Sequence, residues 1–470
     1  MATATIAGPA TSAPEATIGQ RLDRLPLTWA LWRLAIVTQA AWGLAILADG
    51  IAARIYPFVW GPQHAFDTAR FSLLLVISTG VGIVAGEYVF ALLSDRFGRR
   101  RMLLLAAACV GLGTLPAAFS SNFYFLALCL GLSAGGIGGV LATNIVYMAE
   151  LAPSKARGKM TQTSQAIAPL LLNVLGNATG LILMPQHWQA MVLLVAGGPL
   201  LVLVPLIFFT LPESPRWLES RGRHAAADAI VSRLERESAT RSGPLQPPVI
   251  AEVKAEPKAG VRDLFGPDYR GRTSVLLVCW ILGYAGLVYG PLGFLNLYLV
   301  KVGFSAHDIF TAGLISALVG SPGGLILAGR LNERVERKSL ILAGAIVASA
   351  GLLLTFGVGT FWHSLPLLAV ASSVVTAGLY VWLFNMYTYT AVAFPTRIRS
   401  IGTGWTDGFG HIGAILSPLI IAPLFTATAA AGYYGYFAWV IIPGALLPAV
   451  LLARFGIKQK GAPLEAVAGV

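Results

Sequence analysis

The sequence predicts an all-α polytopic membrane protein with 12 transmembrane helices in two six-helix halves. Of its 470 residues, 56% are hydrophobic and only 11% are charged, whereas about a quarter of a soluble protein is charged. The hydrophobic residues form twelve long runs, and a helix needs about 20 such residues to cross the hydrocarbon core. Strands of a membrane barrel would instead give short alternating segments. The composition therefore excludes a soluble multidomain protein.

The twelve runs form two sets of six around a polar stretch. The first set of predicted spans lies near 33–55, 70–93, 101–120, 123–149, 160–184 and 188–211. The second set lies near 273–299, 308–330, 339–359, 364–393, 402–428 and 433–454. The predicted domains are an N-terminal segment over 1–32, a six-helix bundle over 33–211, a linker over 212–272, a second six-helix bundle over 273–454 and a tail over 455–470.

Basic residues set the predicted orientation of these spans. All but three of the 33 Lys and Arg residues lie in the terminal segments, the linker, and the loops after spans 2, 4, 8 and 10. The three exceptions are Arg54, Arg70 and Lys301. Because cytoplasmic loops carry an excess of Lys and Arg, both termini and the linker are predicted to be cytoplasmic. The net charge of +12 is then a topology signal, and no nucleic-acid partner is expected.

Signals for catalysis and cofactors are absent from the sequence. Cys109, Cys129 and Cys279 lie far apart in apolar runs, which indicates packing residues rather than a disulfide framework or metal cluster. The chain carries no nucleotide-binding loop, no HExxH pair and no nucleophile elbow. We therefore expect neither an enzyme nor a cofactor or metal, but a monomer embedded in the lipid bilayer.

The two halves repeat one another. Residues 93–100 align with 331–338 at a constant offset, and residues 149–157 align with 391–399. Duplicated halves are typical of alternating-access carriers, in which the cargo binds between the halves near the middle of the membrane.

Three motifs together resemble the major facilitator superfamily, in its sugar-porter-like branch. They are Gly86 to Arg101 (GEYVFALLSDRFGRRR), Glu150 to Gly158 (ELAPSKARG) and Pro212 to Trp217 (PESPRW). The segment from Trp217 to Leu234 resembles the family's cytoplasmic helical segment, which places an amphipathic helix in the linker. The resemblance covers about residues 20–458 and implies the major facilitator fold.

The resemblance also implies a cytoplasmic gate of charged residues that connects helices in the outward-facing state. Its candidate members are Asp95, Arg96, Arg99, Glu150, Arg157, Glu213, Arg216, Glu333, Arg334 and Arg399. The alternative is that these charges only set topology. Val392 stands where the family usually has Glu, so the network of the second half is predicted to be weaker.

The cargo is less clearly indicated. The helix 7 stretch Gly283 to Pro291 (GYAGLVYGP) departs from the pattern of true sugar porters. Together with residues 21–27 and 389–399, it is more similar to bacterial permeases for metabolites, niacin or aromatic acids, which implies a protein of the bacterial cytoplasmic membrane. Most of those are proton-coupled importers, so the resemblance implies symport of a small organic acid, aromatic acids included. The alternatives are a sugar or polyol carrier and, in another class, a membrane nutrient sensor.

Ionisable residues inside the spans are candidates for proton coupling, because each costs about 3 kcal/mol to insert. They are Asp49, Glu87, Asp407 and His411. Asp407 and His411 share a helix face at i,i+4 and can pair directly. Glu87 and His411 lie about 12 and 13 Å from the cytoplasmic helix ends at 1.5 Å per residue, so we expect one cluster. A static buried triad is the alternative.

Further residues are predicted to line a substrate pocket. Arg54 suits a carboxylate, since its guanidinium matches that geometry, but it could instead extend to the outer interface. The other candidates are aromatic and amide residues of helices 5, 7 and 10, namely Gln165, Asn173, Tyr284, Tyr289, Asn296, Trp382, Asn385 and Tyr387.

Overall fold

The computed structural model describes residues 16–63, 66–153, 170–171, 173–248, 260–331, 334–395, 398–426 and 429–457. Within these ranges the regular secondary structure is helical, without strands, and eleven helices are long and apolar enough to cross a membrane. The fifth predicted span is represented by the shorter helix Asn173–Leu183. Residues 160–169 and 172 of the same predicted span, and residues 154–159 before it, lie outside the described ranges. The predicted all-α membrane fold is confirmed.

We number the spans α1 to α12. The first half contains α1 (Trp29–Asp49), α2 (Thr68–Phe97), α3 (Arg99–Ala117), α4 (Phe123–Leu151), α5 (Asn173–Leu183) and α6 (Trp188–Thr210). The second half contains α7 (Arg270–Lys301), α8 (Ala306–Leu331), α9 (Arg337–Trp362), α10 (Leu365–Ala393), α11 (Ile401–Phe425) and α12 (Gly432–Phe455). After α1 the chain continues through Ile51–Ile55, a π-helical Tyr56–Trp60 and Gly61–Gln63.

The internal repeat is visible in the packing. Gly82 and Gly86 let α2 approach the backbone of α4 so closely that a Cβ atom would collide there. At the equivalent positions of the second half, Gly320 and Gly324 let α8 approach α10 in the same way. Small residues at such contacts allow backbones to pack tightly. One result is that the face of α2 carrying Glu87 is held in a fixed position.

The two halves are packed together at the end that carries Arg54, Arg70 and Lys301, which we call the outer end. There the Ser72 hydroxyl donates to the Pro418 carbonyl at 2.9 Å, and Asn296 donates to the Ala53 carbonyl at 3.4 Å. Aromatic rings of the two halves also meet at this end. The conformation is therefore closed at the outer end.

The linker contains the helices Pro215–Ser220 and His224–Ser242. The second is the predicted amphipathic helix, and it buries Val231 and Leu234. A short helix, Ile18–Asp23, begins with a capping box in which the Thr17 and Gln20 side chains bond reciprocally to backbone N–H groups. It packs against the linker helix, and we call this contact the N-terminal latch.

Candidate functional site

Glu87 and His411 meet across the boundary between the halves. Glu87 lies on α2, and His411 lies in a turn between two helical stretches of α11. Glu87 Oε1 is 3.5 Å from His411 Nδ1, and the two side chains are only 14% and 8% exposed. The structure thus brings together these two residues of the predicted coupling cluster. Such a contact is charged only if a proton is shared or the imidazole is protonated.

Asp407 bonds to tyrosine rather than to His411. Its carboxylate accepts a hydrogen bond of 2.7 Å from the Tyr284 hydroxyl, whereas the His411 ring packs on Tyr284 with centroids 4.6 Å apart. The Asp407 carboxylate is thus not paired with the His411 side chain in this conformation, although His411 also interacts with the backbone of Asp407. The regular α-helix ends at Gly410, and His411 Nδ1 faces Glu87 Oε1.

Tyr284 connects Asp407 to Tyr387. The hydroxyls of Tyr284 and Tyr387 are 2.9 Å apart, and Tyr284 itself is buried. Tyr284 opens a π-helical segment of α7, Tyr284–Val288, and such segments are frequent at functional sites. Gly413 permits this arrangement, since a Cβ atom there would collide with the α7 backbone.

Aromatic rings surround this hydrogen-bonded chain. The Trp280 ring lies 5.1 Å from that of Tyr284 and 4.9 Å from that of Tyr387, between centroids. Its indole N–H donates to the Thr390 hydroxyl at 3.1 Å. Sequence reasoning missed Trp280, although it precedes Tyr284 by four residues and so shares its helix face. Trp280 should therefore be added to the aromatic candidates.

Asp49 and Arg54 occupy a second position, nearer the outer end. Asp49 is buried and lines a small cavity with Thr79 and Tyr289, among others. The Arg54 guanidinium turns back and donates to the Leu47 carbonyl at 3.2 Å. The alternative in which Arg54 extends to the outer interface is therefore wrong for this conformation. Arg54 stays in the membrane, near Asp49, where it could meet an anionic ligand.

The other pocket candidates lie at separate places in the structure. Tyr289 lies close to His411, with ring centroids 6.3 Å apart. Asn296 bonds to α1 near the outer end as described above, and Asn173 accepts from the Asn177 side chain at 2.9 Å. Trp382 and Asn385 are enclosed within the C-terminal half, where the Asn385 amide donates to the Val381 carbonyl at 2.7 Å. Gln165 lies outside the described residues.

Arg99 is the centre of the charge network at the end of the bundle opposite the outer end. It is buried and pairs with Asp95 at 2.9 Å and Glu150 at 2.8 Å, while also donating to the Ser94 carbonyl at 2.7 Å. Glu213 accepts from the backbone N–H groups of Arg99 and Arg100, at 2.8 and 3.0 Å. A carboxylate at this position caps the N-terminus of α3 and suits the helix dipole.

The remaining gate candidates are distributed around this centre. Arg216 pairs with Asp23 at 3.2 Å, which connects the linker to the N-terminal segment, and Arg96 lies over the ring of Phe97. In the second half, Arg399 donates to the Phe394 carbonyl at 3.3 Å, and Arg334 follows the end of α8. Arg157 and Glu333 lie outside the described residues.

An outer aromatic cluster is the largest feature that sequence reasoning missed. It consists of Tyr56, Phe58, Phe71, Phe294, Phe310 and Phe425. Phe71 of α2 stacks on Tyr56 at 4.5 Å and meets Phe294 of α7 edge-on at 5.2 Å, between centroids. Phe58 and Phe310 form a second contact between the halves at 5.4 Å. In sequence, such rings are indistinguishable from an interfacial aromatic belt.

Comparisons with known proteins identify the family and the fold. A family model described as Major Facilitator Superfamily matches residues 40–418. The chain is 27% identical to the putative metabolite transport protein YdjK of Escherichia coli over 96% of each chain. It is also 27% identical to the niacin transporter NiaP of Acinetobacter baylyi, covering 95% of this chain and 98% of the relative. Its fold is similar to a partially occluded, inward-open structure of the xylose transporter XylE from E. coli, with a TM-score of 0.72, 18% identity and coverage of 93% and 100%.

Proposed function

This chain belongs to the Major Facilitator Superfamily and is a multi-pass membrane transporter, and we propose that it moves a small organic acid together with protons by alternating access. The favoured cargo is a flat aromatic or heteroaromatic acid. The contact between Glu87 and His411 carries the proposal, because it is an ionisable contact that joins the two moving halves within the membrane.

The negative charges of the site would couple proton uptake to binding of an anionic cargo. Glu87 and Asp407 lie close enough to interact electrostatically, and two ionised carboxylates in a poorly solvated site repel each other. An incoming carboxylate would add a third negative charge. Anion binding therefore favours protonation of the site, and by linkage protonation favours anion binding to the same extent.

The walls of the site suit a flat acid. Tyr387 is partly exposed, and the buried rings of Trp280 and Tyr284 pack against it close to Asp407. The Arg54 guanidinium lies nearer the outer end of the same membrane region, where it can bind a carboxylate through a bidentate pair of hydrogen bonds. A relative named as a niacin transporter is consistent with a heteroaromatic carboxylate.

The topology follows from the basic residues. We place both termini and the linker in the bacterial cytoplasm, keep the division into two bundles, and expect a monomer that contacts lipid on its outer faces. In this orientation the outer aromatic cluster faces away from the cytoplasm, and the arginine network around Arg99 faces it.

Uptake into proteoliposomes tests the cargo. The panel contains nicotinate, 4-hydroxybenzoate, short aliphatic carboxylates and hexoses, each with and without an inwardly directed proton gradient. We expect uptake of one or both aromatic acids, driven by the gradient. Hexose uptake that is indifferent to pH would favour the sugar carrier instead, and binding without any uptake would favour a sensor.

Glu87→Gln tests the coupling site. The amide keeps the size of the side chain but cannot take up a proton, so we expect gradient-driven uptake to fall at least tenfold while exchange of cargo across the membrane persists. Asp268→Asn is the control, since that carboxylate is exposed in the linker just before α7. A Glu87→Gln protein with unchanged pH dependence would exclude Glu87 from coupling.

A further inference from the structure

We propose that Tyr387, Tyr284 and Asp407 form a hydrogen-bond relay whose direction reverses when Asp407 takes up a proton, so that Tyr387 offers its O–H to an oxygen of the cargo only in the protonated state. The inference rests on the proposed function. It adds a positioning role for Tyr284, which would transmit the state of Asp407 to a residue at the cargo position.

The geometry allows one continuous chain of bonds. The Tyr284 hydroxyl lies between Asp407 Oδ1, at 2.7 Å, and the Tyr387 hydroxyl, at 2.9 Å. The central tyrosine is buried, whereas Asp407 and Tyr387 at the two ends are partly exposed. The two ends of the chain are therefore less enclosed than its middle.

The direction of the chain follows from the number of protons available. A phenol carries one O–H, so it can donate only one hydrogen bond at a time. While Asp407 is ionised it can only accept, so Tyr284 must donate to it and Tyr387 must donate to Tyr284. In this state Tyr387 has no O–H left, and it presents only an acceptor to the cargo position.

Protonation of Asp407 permits the opposite direction. The carboxylic O–H then donates to the Tyr284 oxygen, Tyr284 donates to Tyr387, and the Tyr387 O–H is released. No covalent bond breaks in the relay, since each hydroxyl rotates and keeps its own proton. Chains of hydrogen bonds reinforce one another when they point the same way. A carboxylate or carbonyl oxygen is the group that a released O–H would bind.

Other ionisable groups face Asp407 and must be considered. They are Tyr284 and Tyr289 from α7, Tyr387 from α10, Glu87 from α2, His411 from α11 itself and, beyond Tyr289, Asp49 from α1. Glu87 also takes up protons in the proposed function, so the experiment must separate it from Asp407. The variants Asp407→Asn and Glu87→Gln serve this purpose.

Infrared difference spectroscopy of the purified full-length protein tests the relay without any cargo. Spectra are recorded between pH 4 and 9 on protein with isotope-labelled tyrosine. We expect a carboxyl band that disappears in Asp407→Asn and persists in Glu87→Gln. A shift in the tyrosine C–O stretching band should accompany it, because Tyr387 changes from a donor to an acceptor of the Tyr284 bond.

Two tyrosine variants complete the test. Tyr387→Phe should keep the Asp407 band and reduce the tyrosine shift to the part contributed by Tyr284, which itself changes from a donor to an acceptor of the Asp407 bond. Tyr436→Phe, whose hydroxyl donates to the Gly290 carbonyl, should change neither. The relay is overturned if Asp407 does not titrate in this range, if it titrates without a tyrosine shift, or if the shift in Tyr387→Phe is as large as in the parent protein.

A transport measurement then links the relay to cargo. For whichever acid is taken up, Tyr387→Phe should raise KM at least tenfold at low pH and leave KM unchanged at high pH, where the O–H is already engaged. An equal increase at both pH values would overturn the relay. Failure of every acid to be transported would contradict the proposed function, while the spectra would still decide whether the relay exists.

Discussion

The two ends of this protein are held by different kinds of contact. At the outer end, aromatic rings of the first half pack directly on rings of the second half, as Phe71 does on Phe294. At the cytoplasmic end, the ion pairs around Arg99 connect α2, α3 and α4 within the first half. The N-terminal latch adds further ion pairs between the N-terminal segment and the linker helix.

This difference distinguishes the aromatic interface, which can open, from the ion pairs around Arg99, which hold the first half together. Aromatic rings that part leave no unpaired charge, so an apolar closure can open at modest cost. Arg99 is buried, and separating it from Glu150 would leave charged groups without partners, which is expensive. We therefore expect the outer cluster to control conformation and the network around Arg99 to control the integrity of the first half.

The largest effect is expected for Arg99→Ala. Removing the guanidinium takes from the partly buried Glu150 the partner that it has among the described residues, and breaking a buried pair in this way costs about 3–5 kcal/mol. The apparent midpoint of thermal unfolding in detergent should fall by several degrees. Arg96→Ala, at an exposed position of the same loop, should change it little. Equal midpoints for the two variants would contradict the role assigned to Arg99.

A smaller effect, on conformation rather than stability, is expected for Phe71→Leu. The substitution keeps an apolar side chain but removes an aromatic contact between the halves, worth about 1 kcal/mol, so the outward-open population should rise about fivefold. The measurement is labelling of Thr79→Cys by an impermeant maleimide added outside, in a Cys109→Ser background. Phe361→Leu, which replaces a 69% exposed ring, should label at the parent rate.

The latch should open at low pH. Burial alone would raise the pKa of Glu235, but hydrogen bonds from Arg21 and Arg24 outweigh it and hold that pKa below its usual value. The hydrogen bond from Arg21 likewise lowers the pKa of Asp228. A lowered pKa means that the stabilisation is present above the unfolded carboxyl pKa, about 4.3 for Glu, and is lost as the pH falls through the folded value.

Hydrogen exchange of Ile18–Asp23 measures this opening. Exchange should accelerate as the pH falls below the usual carboxyl range, after correction for the intrinsic pH dependence of exchange. Glu235→Gln should show about fivefold faster exchange already at neutral pH, corresponding to about 1 kcal/mol. Thermal unfolding of the membrane bundle should be unaffected, in contrast to Arg99→Ala. If exchange in the variant equals that of the parent, Glu235 does not hold the latch.

The smallest effect is expected for Arg33→Ala. Arg33 pairs with Glu237 at 2.9 Å, and both side chains are about one third exposed (35% and 30%). Such a pair contributes at most about 0.5 kcal/mol and is screened by salt. The same exchange measurement should change less than about threefold, and 1 M salt should remove the difference. A larger change would indicate that this pair belongs to the core of the latch.

The sequence predicted the helices well because their signal is local. A run of about 20 apolar residues must form a helix in lipid, and the described helices match the predicted spans to within a few residues at most ends. Polar residues inside those runs, such as Glu87 and Asp49, are also visible without a structure, because their insertion is costly. Their partners are not visible, since sequence spacing fixes the face of one helix but not which neighbouring helix it meets.

Four residues illustrate that limit. Asp407 and His411 share a helix face by spacing, yet the turn at His411 directs it to Glu87 and leaves Asp407 to Tyr284. Arg54 could reach the outer interface by length, yet it turns inward to the Leu47 carbonyl. Trp280 lies in an ordinary apolar run, and only the approach of α10 reveals it as part of the aromatic wall.

By itself, the sequence therefore determined the number and approximate limits of the helices, the duplication and the inventory of charged groups in the membrane, because each follows from local composition and period. The tertiary structure decided which end is closed, which pairs form and which hydroxyl connects Asp407 to Tyr387. Those outcomes depend on how closely neighbouring helices approach, and glycines such as Gly86 and Gly413 set that distance through contacts far apart in sequence.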